Sequence, residues 1–118
     1  MKKYHEITGS ISDGVKTLKN EIPDTVKNFY AMSDAANKDG ALDTKTKELI
    51  ALALGVAGHC EGCIGFHAQK LVKLGASKQE VAETLGVAVY MGGGPSLMYA
   101  AEAIQAFEEF SERKDKAA

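Results

Sequence analysis

The sequence predicts an all-α protein of five or six helices, and three observations lead there. No segment alternates apolar and polar residues as a half-buried strand does, and the β-branched residues are scattered. Glycine, proline and capping residues cut the chain into helix-length pieces. The pieces between them are rich in alanine and leucine, the strongest helix formers. With no internal repeat, linker or low-complexity stretch, residues 1–118 read as a single domain.

Taken in order, the first twenty residues are expected to hold a short helix near Ser12 to Asn20. Pro23 suits the first turn of a helix from about Asp24 to Asn37, with Val26, Phe29, Tyr30 and Ser33 at helical spacing. Lys38-Asp39-Gly40 ends it, and Asp43 or Thr44 caps the next helix, which runs to about Ala57. Gly58 breaks the chain there. A further helix spans about Cys60 to Leu74 and stops at Gly75. Ser77 and Glu80 form a capping box for a helix reaching about Met91. Gly92-Gly93-Gly94-Pro95 separates it from a last helix, Ser96 to about Glu112, and the tail from Lys114 to Ala118 is expected to fray.

Two stretches are more apolar than a monomer of this size needs. LIALALGVA, residues 49–57, is hydrophobic all round and is expected to be buried on every side. GVAVYMGGGPSLMYAAEAI, residues 86–104, is similar and rich in small residues. The surplus is expected to lie against other copies of the chain, making a homo-oligomer.

Composition excludes several classes. A net charge of −2 with Arg113 as the sole arginine argues against a nucleic-acid surface, where bidentate arginine contacts are prominent. MKKYHEITGSISDG has no apolar h-region, and no run approaches the ~20 apolar residues that span a bilayer. A cytoplasmic protein is expected. There, a close cysteine pair is redox-active or metal-binding more often than a structural disulfide.

That pair lies in GHCEGCIGFH, residues 58–67, which holds both cysteines and two of the three histidines. On a helix, Cys60, Cys63, Ile64, His67, Leu71 and Leu74 fall on one stripe, with Gln69, Lys70 and Lys73 to its sides or back. The sulfurs sit one turn apart, close enough to bond, and His67 lies one turn beyond Cys63. A cysteine at a helix start faces unpaired N–H groups and the positive dipole end, which favour the nucleophilic thiolate. His67 can take the thiol's proton. Glu48, immediately ahead of the apolar run, is the carboxylate best placed to orient that base.

Glu48, Cys60, Cys63 and His67 form the pattern E-x11-C-x2-C-x3-H. It resembles the motif of AhpD-like alkylhydroperoxidases in the carboxymuconolactone decarboxylase family. The likeness extends from about Thr44 to Ala106, the expected core, through ELIALALGVAGHCEGCIGFHAQKLVKLGAS. The resemblance implies an all-helical trimer or hexamer and a dithiol that cycles with a disulfide. It also implies a Cys60–Cys63 redox pair, His67 as proton acceptor and Glu48 as the relay behind it. The substrate would be a hydroperoxide or a disulfide, the electron source an external dithiol, and the recipient in one branch a peroxiredoxin-type partner, with no cofactor or metal. One departure stands out: AhpD proteins proper often carry a histidine just before the second cysteine, where this chain has Gly62.

Other readings remain. Cys60, Cys63, His67 and His59 offer zinc ligands, although all lie within nine residues. The cysteines can also be plain core residues. Haem attachment fails because Ile64 follows Cys63. A non-enzymatic redox sensor and a lactone decarboxylase on a small carboxylated substrate complete the alternatives. Which cysteine attacks first is open: helix position favours Cys60, proximity to His67 favours Cys63. Tyr90 and Tyr99 are candidates to line a cavity over the sulfurs.

Overall fold

Six helices follow one another with short connections: α1 (Tyr4–Glu21), α2 (Pro23–Ala36), α3 (Thr44–Ala57), α4 (Glu61–Lys73), α5 (Lys78–Gly92) and α6 (Gly94–Ala117). The structure is a computed structural model that describes residues 2–117. Among these residues there is no strand, and no helix is long and apolar enough to cross a membrane.

Local chemistry sets most boundaries. Asp43 caps α3 by accepting from the Thr46 N–H at 2.8 Å. Ser77 and Glu80 make the reciprocal capping box of α5, each side chain accepting from the other's backbone N–H, at 3.0 and 2.8 Å. Gly75, with φ 77°, closes α4: the Gly75 N–H donates to the Val72 carbonyl and the Ala76 N–H to that of Leu71.

The same double bond pattern ends α3, where Gly58 breaks the helix as expected and is its C-cap. Gly58 has φ −83°, and the left-handed position falls to His59 at φ 54°. The His59 N–H donates to the Val56 carbonyl and the Cys60 N–H to that of Gly55, at 3.1 and 2.9 Å. A non-glycine residue in this conformation costs about 1 kcal/mol. The turn it makes delivers Cys60 straight to the N-cap of α4.

The first helix is much longer than Ser12 to Asn20, and its start is set from afar. No side chain of Lys3 caps it. Instead Glu109 of α6 accepts from the Tyr4 and His5 backbone N–H groups at 2.9 and 2.8 Å and contacts His5 Nδ1 at 2.8 Å. A carboxylate satisfying unpaired N–H groups at the positive end of a helix is a strong cap, here supplied across more than a hundred residues of chain. The last helix is also longer than expected. It begins at Gly94, with Pro95 in its first turn, and it runs to Ala117, past the expected end near Glu112; Ala118 lies outside the described residues.

Helices α3, α4, α5 and α6 pack around one core, α1 lies against α4 and α6, and α2 packs on α1 alone. Leu52 and Val56 of α3, Ile64 and Leu71 of α4, and Val81 of α5 are wholly or almost wholly enclosed. Two close approaches seat α1 on α4. A Cβ on Gly65 would meet the Thr8 methyl at 2.6 Å and Tyr4 Cδ1 at 3.2 Å, and one on Gly62 would meet Ile11 Cδ1 at 2.7 Å.

Within a single chain, residues 49–57 are not buried on every side. Leu52 and Val56 are enclosed, but Ile50 and Leu54 are exposed, because α4, α5 and α6 cover α3 from one direction only. Val87, Tyr90, Met91, Leu97 and Met98 are likewise at least half exposed around the α5–α6 turn. Phe29 and Tyr30 of α2 stay at the surface too.

The glycine contact with α1 has a measurable consequence. Gly65→Ala should lower stability by about 1–3 kcal/mol in urea unfolding, because the added methyl overlaps the Thr8 methyl. Thr8→Ser, which removes that methyl and keeps the hydroxyl, should return part of the loss in a double-mutant cycle.

Candidate thiol–imidazole–carboxylate site

Four side chains singled out by spacing lie on α3 and at the start of α4, and the structure joins them in two pairs, Cys60 with Cys63 and Glu48 with His67. Cys60, at the N-cap of α4, and Cys63, in its first turn, are joined as a disulfide with Cα atoms 5.2 Å apart. The Cys63 N–H donates to Cys60 Sγ at 3.2 Å, so a backbone donor at the helix start already faces this sulfur. Such a donor stabilises negative charge on the sulfur when the bond is reduced. Gly55 allows the approach: a Cβ there would lie 3.0 Å from Cys63 Cβ.

His67 continues the stripe one turn beyond Cys63. Its Nδ1 lies 2.5 Å from Oε2 of Glu48, which projects from α3 and is completely enclosed. Burial pushes the Glu48 carboxyl up, but His67 and then Lys70 outweigh it and hold the group below the usual carboxylate range. With the carboxylate ionised, Nδ1 carries the hydrogen and donates it, which leaves Nε2 bare as an acceptor. A bare ring nitrogen is a base, and the buried carboxylate would steady positive charge on the ring if it took up a proton. The stripe otherwise follows the expected register, with Ile64 and Leu71 buried; Leu74 departs from it, exposed at the C-cap.

Lys70 is the site residue that spacing alone missed. It lies to the side of the stripe, as expected, half-exposed, and from there its ammonium reaches Glu48 Oε1 at 3.3 Å. The available signal was its position three residues after His67, which puts both on neighbouring faces of α4. Its long stem then spans the rest of the distance, and the length of a flexible side chain leaves no periodic trace.

His59 turns away from the sulfurs. Its ring stacks on Tyr99 of α6, with centroids 4.8 Å apart and planes 5° from parallel. Tyr99 therefore supports the turn that precedes Cys60, and Tyr90 is 82% exposed. Among the described residues no three His, Cys, Asp or Glu side chains are grouped to hold a metal ion. Gly62 gains a physical reason: Ile11 of α1 occupies the space in which a side chain at that position would begin.

Comparisons with known proteins bear on the family and the fold. The model of the carboxymuconolactone decarboxylase family matches residues 23–106. A protein of that family from Legionella pneumophila, solved in the apo form, superposes with a TM-score of 0.90 at 60% identity, covering 92% of this chain and 96% of that one. A family protein from Thermotoga maritima, put forward as a participant in an antioxidative response, gives a TM-score of 0.73 at 28% identity over 88% of this chain and 95% of its own. An uncharacterised protein of Cupriavidus necator is 38% identical over 86 residues, which is 73% of this chain and 76% of that protein. The chain belongs to the carboxymuconolactone decarboxylase family.

Proposed function

We propose that the protein is a thiol oxidoreductase of the AhpD-like type, in which Cys60 and Cys63 alternate between dithiol and disulfide. The observation that carries this reading is the bonded cysteine pair at the start of α4, on the same side as an imidazole backed by a buried carboxylate. In the forward half-cycle, one cysteine gives its proton to His67 Nε2 and attacks the outer oxygen of a hydroperoxide. The O–O bond breaks, the sulfur becomes a sulfenic acid, and the alkoxide leaves with the proton from His67. The second thiol then displaces water from the sulfenic sulfur and closes the disulfide. An external dithiol reduces that disulfide by exchange and is itself oxidised. If the substrate is a partner's disulfide instead, the same thiolate attacks sulfur, and two electrons pass to the partner, a peroxiredoxin-type protein.

The family's name refers to decarboxylation of a lactone, a reaction with no use for a pair of sulfurs that bond to each other. The dithiol reading is therefore preferred. The antioxidative role put forward for the Thermotoga relative points the same way. A cytoplasmic setting, where dithiol reductants keep such a pair turning over, fits it as well.

A homo-oligomer, a trimer or a hexamer, belongs to the same reading. Exposed Val87, Tyr90, Met91, Leu97 and Met98 form an apolar surface around the α5–α6 turn larger than single scattered side chains explain.

Cys60→Ser and Cys63→Ser should each abolish dithiol-dependent peroxide turnover; undiminished turnover in Cys63→Ser would remove the two-cysteine cycle. His67→Gln and Glu48→Gln should each slow turnover about 10²-fold or more with the circular-dichroism spectrum unchanged. An unaltered rate and pH profile in His67→Gln would exclude the imidazole from proton transfer. Sedimentation should find the wild-type chain oligomeric and the Met91→Lys, Met98→Lys double variant shifted to smaller species.

A further inference from the structure

Glu48 presents a problem that the thiol cycle by itself does not resolve. Its carboxylate is completely enclosed, and only Oε2 meets the imidazole. A buried anion left with one neutral donor is strongly disfavoured and tends to take up a proton instead. Once protonated, it no longer supports an imidazolium. In the proposed cycle His67 is positively charged only after it has accepted a thiol proton, so for the rest of the cycle the carboxylate needs a different counter-charge.

The surroundings offer one candidate. Oε1 has no hydrogen-bond partner, yet the Lys70 ammonium stands 3.3 Å from it, at ion-pair distance. Four charged groups of the neighbouring elements are engaged elsewhere. On α3, Lys45 is held by Glu80 of α5 at 2.8 Å, and Lys47 donates to the Lys38 carbonyl at 2.6 Å. On the α6 side, Glu102 is bound by Lys2 and by the Tyr4 hydroxyl, both at 2.6 Å. On α4 itself, Glu61 is paired with Lys2 at 2.5 Å.

We propose that Lys70 is a positioning residue of the thiol centre: its ammonium takes the second oxygen of Glu48, keeps the carboxylate ionised while His67 is neutral, and turns the other oxygen toward the imidazole. Lys70 touches neither sulfur chemistry nor substrate in this scheme, and acts through Glu48 alone. Its half-exposed side chain explains how a permanent cation serves a buried group, since the ammonium stays partly hydrated while it pairs. The inference rests on the thiol oxidoreductase reading for its purpose, but not for its test.

The test is a pH titration of the Glu48 carboxyl carbon by nuclear magnetic resonance, on the full-length oxidised protein, where no turnover is needed. Removing a nearby cation makes a carboxylate easier to protonate, so Lys70→Met should move the Glu48 midpoint upward by about half to one pH unit. Lys70→Arg keeps the charge and should titrate with the wild type. Lys73→Met, which removes a lysine one turn position further along α4, should also leave the midpoint in place. In parallel, peroxide oxidation of the reduced protein should slow several-fold in Lys70→Met and recover in Lys70→Arg. A Glu48 midpoint unmoved in Lys70→Met, or moved equally in Lys73→Met, would overturn the proposal; so would an unslowed oxidation rate. A wild-type protein inert to peroxide would instead defeat the thiol oxidoreductase reading, and the titration would still decide the role of Lys70.

Discussion

A carboxylate sealed between two helices is the constraint on which the rest of this structure depends. Glu48 sits in the second turn of α3 with no exposed surface, and the groups that compensate it, His67 and Lys70, come from α4. Removing a charge from water costs several kcal/mol unless it is paired and hydrogen-bonded. The two helices therefore have one favourable register, in which His67 and Lys70 both meet the carboxylate. Gly55 permits the close approach that this register needs, since a side chain there would press on Cys63. The pairing that stabilises the helix contact is thus the same one that orients the imidazole.

From that contact the geometry of the sulfurs follows. The α3 helix ends in a turn whose left-handed residue is His59, and the next N–H, that of Cys60, bonds back to α3. Cys60 is consequently held to the helix behind it as well as to the one it caps. The stacking of His59 on Tyr99 steadies a backbone conformation that most residues avoid. On the opposite side, α1 closes over Gly62 and Gly65, and Glu109 fixes its first turn. The cysteine pair lies between elements tied to it by backbone hydrogen bonds and close contacts, a setting that limits how far the two sulfurs separate when reduced.

The apolar surface around the α5–α6 turn shows a different balance. Gly93 adopts φ 73°, and a Cβ on Gly92 would run into Ser96, so the chain reverses tightly and brings Met91, Leu97 and Met98 to one end. These residues find no cover among the six helices because the core is already closed by Leu85, Ala88, Ala103 and Phe107.

What the sequence determined by itself was whatever a few neighbouring residues decide. Capping by Asp43 and by Ser77 with Glu80 and the stop at Gly75 are local patterns, and each keeps its meaning in the folded chain. Helical periodicity alone aligned Cys60, Cys63 and His67, and the position of Glu48 before the apolar run marked it as a carboxylate out of place. The tertiary structure decided the remainder, because the deciding partners lie far away in sequence. The early start of α1 depends on Glu109, the left-handed residue of the turn after Gly58 is His59, and the reach of Lys70 follows from a charge on another helix. Which apolar residues stay exposed was settled the same way: a hydrophobic stretch records its need for cover, while only the packing of all the helices fixes how much cover exists.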